Sequence, residues 1–172
     1  MAGFNDVVVR EAAWYTVDPP PGFASAPALQ AVNGGPFDGI QAYWTKVPQR
    51  QRWLFVTCEG EVRNELDEWQ AHREAIYQMV LTILWSFEAG SGALEDEQQN
   101  LHDAVEKVLQ RVYGLIGDKT HNSQFTAVAA GGPEGDGRIT VRMPNSYDQV
   151  TARQPLMAEI RYFATDWLPG GS

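Results

Sequence analysis

The stretch NELDEWQAHREAIYQMVLTILWSFEAG (64–90) decides the fold, because it can be read in two ways. Ile76, Met79, Val80, Ile83, Leu84 and Phe87 recur as one face of a helix would. Asn64 could cap that helix, with Glu65, Asp67 and Glu68 in its first turn against the positive end of the dipole. As a strand the same residues alternate imperfectly, since Tyr77, Val80 and Leu84 fall on the face that ought to be polar. A strand buried on both faces would nonetheless look like this, and VLTILWSF (80–87) is rich in strand-forming residues. Spacing alone places the helix slightly ahead and leaves the strand open.

Upstream, IQAYWTKV (40–47) and QRWLFVTCEGEV (51–62) read as strands. FNDVVVREAAWYTV (4–17) is amphipathic and suits a strand or a short helix, with Val7, Val8 and Val9 favouring a strand at its start. DPPPGFASAP (18–27) cannot be a helix interior, because successive prolines remove donors and restrict the residues before them. VNGGPFDG (32–39) is rich in turn residues. Residues 1–39 therefore read as an irregular arm that carries Phe4, Trp14, Tyr15, Phe23 and Phe37. Rings on such an arm are expected to lie against its own domain or a neighbouring subunit.

Downstream, ALEDEQQNLHDAVEKVLQRVYGLIG (93–117) places Leu94, Leu101, Val105, Val108, Leu109, Val112 and Tyr113 on one stripe. Acidic residues crowd its start, Lys107 and Arg111 lie nearer its end, and Gly117 suits a left-handed terminator. SQFTAVAA (123–130), RITVRM (138–143) and LMAEIRYFATDW (156–167) read as strands, with GGPEGDG (131–137) as a flexible connection. No internal repeat or second-domain boundary is evident, so residues 40–172 form a single expected α+β domain.

Charge narrows the partners. Thirteen Lys plus Arg against 22 Asp plus Glu gives 13 − 22 = −9, a balance that repels a phosphate backbone and argues against a general nucleic-acid binder. One cysteine, Cys58, excludes an intrachain disulfide, and its apolar run WLFVTC (53–58) suits a buried thiol. No secretory signal is evident, and no apolar run approaches the ~18–20 residues of a membrane span. A soluble chain from a reducing compartment, with no membrane contact, is expected.

Candidate chemistry is sparse. His72, His102 and His121 form no metal-binding spacing, and His102 with Glu106 suits an exposed pair on a helix. Asp118 and His121, within GDKTHNSQFTAV (117–128), could serve as an orienting carboxylate and a base, but no nucleophile motif accompanies them. GGPEGDG lacks the Gly-Lys-Ser/Thr of a phosphate loop, and Glu95-Asp96-Glu97 lacks the spacing of a calcium loop. Neither catalytic residues nor a cofactor or metal are expected.

The order of elements over residues 101–167 resembles the C-terminal half of the tail terminator proteins of long-tailed bacteriophages, especially those of actinobacterial hosts. That order is the helix LHDAVEKVLQRVYGLIGD (101–118), then KTHNSQFTAVA, a glycine-rich break and ITVRMPNSYDQVTARQPLMAEIRYFATDW (139–167). The stretch from Arg52 to Gly90 is similar to that family's central strands, so about two-thirds of the chain is covered; the first forty residues match less well. The resemblance implies an α+β domain with a mostly antiparallel sheet flanked by helices, and it turns residues 75–88 into a strand. It also implies a virion protein that forms a ring, expected as a homohexamer. Such a ring caps the completed tail tube and joins it to the head's connector or stopper protein.

Double-stranded DNA would pass through that ring without being gripped, past Glu/Asp-rich segments facing the lumen. Expected interface residues are Phe4, Trp14, Tyr15, Phe23, Asp118, Lys119, His121, Asn122, Arg142, Tyr147 and Arg153, with Arg50, Arg52 and Arg161 as further candidates for subunit or tube contacts. Deleting residues 1–22 is expected to weaken ring assembly or attachment to the connector. The alternatives are another neck or minor tail protein, a small hydrolase or ligand-binding domain using Asp118 and His121, and a host-directed regulatory protein.

Overall fold

A computed structural model describes residues 4–46, 51–64, 72–87, 93–114, 120–121, 125, 127–128, 139–144 and 155–169. The deciding stretch is a strand. β3 (His72–Trp85) runs antiparallel between β2 (Arg52–Asn64) and β6 (Leu156–Pro169). Helical spacing failed to produce a helix because both faces of β3 are covered. Ala75, Tyr77, Met79, Leu81, Ile83 and Trp85 enter the main core, while Ile76, Val80 and Thr82 are buried on the opposite side. With Ile76, Val80 and Thr82 buried on the second face and Glu74, Gln78 and Leu84 only partly so, alternation carried little signal. Asn64, read as a possible helix cap, is the last residue of β2.

The sheet order is β1-β2-β3-β6, and β6 shares its outer edge between β4 (Ala127–Val128) and β5 (Thr140–Arg142). Among the described strands every pairing is antiparallel except that of β1 (Gly39–Ala42), which lies parallel to β2. β1 stops well short of the expected 40–47. The expected strand 123–130 is represented by β4 among the described residues, and residues 131–137 and Gly117 lie outside them. Gly39 faces Trp53 across the β1–β2 pair, and a Cβ there would stand 2.6 Å from the indole. The ring therefore folds over a position that only glycine leaves open.

Both long helices cover one face of the sheet. α1 (Phe4–Thr16) replaces the strand that the valine run suggested. Val7, Val8, Glu11, Ala12, Trp14 and Tyr15 are buried, a helical stripe, while Val9 points out at 49% exposure. Packing of that stripe outweighs the strand preference of three β-branched residues. The N-terminal segment is thus part of the domain's core. Beyond it the arm is irregular as expected, with one 3-10 turn over Ala31–Asn33 and a cis Asp18–Pro19 bond.

α2 (Ala93–Leu109) buries Leu101, Ala104, Val105 and Val108, and keeps Glu95 and Asp96 in its first turn. It passes into a π-helical turn at Gln110–Gly114. That wider turn directs both Arg111 and Val112 into the interior. The architecture is α+β.

Candidate functional site

A cluster of polar side chains lies buried among the described residues. Glu11 projects from the buried stripe of α1 and meets His121, 110 residues away, at 2.7 and 3.0 Å from Nδ1. His121 Nε2 donates to the Val112 carbonyl at 2.9 Å, so Nδ1 and the Glu11 carboxylate must share a proton between them. Tyr15 and Tyr162 both donate to Glu11 Oε1, and their hydroxyls lie 2.8 Å apart. Trp14 stacks on the imidazole, with ring centroids 4.9 Å apart and 10° between planes. His121 adopts φ 48°, a left-handed conformation that turns its ring inward.

None of these four groups reaches solvent. Glu11, Tyr15 and His121 have no exposed surface and Tyr162 has 1%. Burial pushes both phenols well above the usual tyrosine range, and the Glu11 carboxylate beside them acts in the same direction. The phenols therefore stay neutral donors. An acid, a base and two hydroxyls are in place, but sealed in; the arrangement is suited to fastening α1 to β6 and to the backbone at His121.

A second buried anchor holds the far end of α1. The Arg111 guanidinium pairs with Asp18 and donates to the carbonyls of Trp14 at 3.2 Å and Val17 at 3.0 Å. Trp14 Nε1 returns a hydrogen bond to the Arg111 carbonyl at 3.1 Å. Asp18 Oδ2 accepts from the backbone of Leu29 and Gln30 at 3.0 and 2.7 Å. Burial lowers the Arg111 pKa, and the Asp18 carboxylate opposes that shift.

Several expected interface residues therefore belong elsewhere. Trp14, Tyr15 and His121 pack within their own chain and offer nothing to a neighbour, because their apolar and polar atoms already have partners inside the core. Phe23 is half-buried and meets Trp14 edge-on at 6.3 Å. Arg142 is exposed on β5. Phe4 begins α1, but its side chain lies outside the described residues, as do Asp118, Lys119, Asn122, Tyr147, Arg153 and Arg50. Arg52 and Arg161 are engaged within the chain: Arg52 with Glu97 at 3.1 Å and over the Trp85 ring at 4.2 Å, Arg161 with Glu59 and with Glu159 at 3.2 Å.

No family model matches the chain, and no curated protein does. Its chemistry must be read from its own residues.

His102 and Glu106 are both exposed on α2, and no group of three or more potential metal ligands occurs among the described residues. No described helix is long and apolar enough to cross a membrane. Cys58 is partly buried, and burial pushes its thiol up to about 11, so little thiolate exists near neutrality.

Glu11 and Tyr162 were missed as members of a site. One signal was present: Glu11 sits four residues after Val7 and four before Tyr15, a carboxylate on an otherwise apolar stripe. The outer surface also carries a patch that the sequence reading passed over. Tyr43 and Trp44, just past β1, are 41% and 53% exposed.

Proposed function

We propose that this chain is a structural component of a phage tail neck. It resembles a tail terminator whose copies close into a ring, taken as a hexamer, on the tail tube and beneath the head's connector. The observation that carries the reading is β3. The resemblance required a strand where residue spacing favoured a helix, and the chain has a strand over His72–Trp85 between two long antiparallel partners. A net charge of −9 suits a passage through which DNA slides without adhering. In this reading the protein is part of the virion and has no catalytic role.

The hydrolase alternative loses support because its base is enclosed. His121 has both ring nitrogens engaged and no exposed surface, so a substrate has no approach to it. Electron microscopy of the purified protein, alone and mixed with tail tubes, tests the proposal. Rings seated on one end of the tube are expected. A chain that stays monomeric and leaves tube ends bare would rule the proposal out, while rings elsewhere in the neck would favour another neck component.

A further inference from the structure

The contacts of His121 fix how many protons the buried cluster holds. Nε2 lies 2.9 Å from the Val112 carbonyl, which can only accept, so this nitrogen carries hydrogen. Nδ1 lies 2.7 and 3.0 Å from the two Glu11 oxygens, which also only accept when ionised, so a further proton stands between them. The tyrosines do not supply it. Tyr15 and Tyr162 already direct their hydroxyl hydrogens to Oε1, and burial keeps both phenols neutral. The closed cluster therefore holds one proton more than a neutral imidazole beside a carboxylate.

Once the two groups separate into water, the count changes. A solvated imidazole loses its proton above about pH 6.5 and a solvated glutamic acid above about pH 4.3. Between those values the separated pair still carries one proton, on the imidazole. Above pH 6.5 it carries none, and closing the cluster takes one up.

We propose that the cluster is a proton-operated latch: docking α1 and His121 against β6 binds one proton at neutral pH, so closure is tighter in mildly acid than in mildly alkaline solution. Because the folded chain binds the extra proton, each pH unit above 6.5 weakens closure by up to about tenfold. The contribution is fully present just below pH 6.5 and is lost as pH rises. Below about pH 4.3 the sense reverses, since a second proton makes the cluster cationic. The other charges that face it do not balance a cation. The Arg111 guanidinium lies over the Trp14 ring at 6.0 Å, and that of Arg10 lies 5.9 Å over Phe125, which meets His121 edge-on at 6.4 Å. The nearby carboxylates serve those guanidiniums: Asp18 pairs with Arg111, and Asp6 and Asp166 pair with Arg10.

Glu11→Gln provides the test. Its amide donates to a bare Nδ1 and still accepts from both phenols, with no proton to take up. Urea unfolding of wild type and variant is compared from pH 5.5 to 8. The wild-type folding constant divided by that of the variant should be level up to pH 6, then fall by nearly tenfold between pH 7 and 8. Cys58, whose thiol burial pushes up to about 11, acts in the same sense at higher pH, but it is present in both proteins and cancels in the ratio. A ratio that stays level across the range overturns the latch. If the variant does not fold, the proton is counted directly. Wild-type protein unfolded in urea at pH 7.5, in weak buffer with an indicator dye, should release about one proton per chain. Release of none overturns the proposal.

Discussion

Glu11 accepts hydrogen bonds from two phenols and faces an imidazole, all buried from solvent. Replacing it with alanine leaves three buried groups without their common partner. Breaking one side of a buried charged pair costs about 3–5 kcal/mol, so Glu11→Ala should lower the urea midpoint by a comparable loss of stability. Tyr15 and Tyr162 add a pH dependence of definite sign. An unfolded tyrosine titrates near ~10, whereas these two hold their protons to higher pH. Above pH 10 the unfolded chain binds fewer protons than the folded one, so stability falls as pH rises, and below pH 10 this contribution is fully present. Two such groups give a limiting slope of roughly 2.7 kcal/mol per pH unit. Urea titrations between pH 9 and 11.5 should show it, and Tyr162→Phe should remove about half.

Strand β3 offers a sharper test at the scale of an element. Thr82 is 1% exposed, and its hydroxyl has no hydrogen-bond partner among the described residues. Thr82→Val keeps the shape and removes the unpaired group, so it should raise stability by about 1 kcal/mol in equilibrium unfolding. The same burial explains why β3 was hard to read. α2 and β6 were legible because each alternates regularly between buried and less buried positions, which leaves a period in the sequence; in β3 Ile76, Val80 and Thr82 are buried on the second face and break it. The valine run of α1 misled for a different reason, since Val9 faces solvent while Val7 and Val8 are buried, and only the packed fold distinguishes them. The parallel pairing of β1 left no local trace, being set by the path of residues 17–38. Of the buried site, Glu11 was visible as an anomaly in its helix, but its partners His121 and Tyr162 lie 110 and 151 residues away. No spacing rule reaches that far.

For the molecule as a whole, the N-terminal segment has changed its meaning. As an arm reaching a neighbour, residues 1–22 could be removed with the domain intact. In the folded chain they include Val7, Val8, Trp14 and Tyr15 of the core, together with Glu11 and Asp18 of the two buried anchors. Deleting them should abolish cooperative unfolding and leave aggregating protein, as seen by circular dichroism and gel filtration. A truncated chain that melts cooperatively would show that α1 is dispensable.

The contact between the Tyr15 and Tyr162 hydroxyls spans 147 positions of the chain. On a ribosome, those two residues emerge far apart in time. α1 carries the acceptor Glu11 itself, but its docking surface is finished only when His121 and then β6 appear. Until then Trp14 and Tyr15 are open to solvent and to other nascent chains. Such long-range closure makes folding slow and exposes apolar surface while it waits. α1 is made well before β6 yet is secured only after β6 emerges, and synthesis of this protein must tolerate that delay.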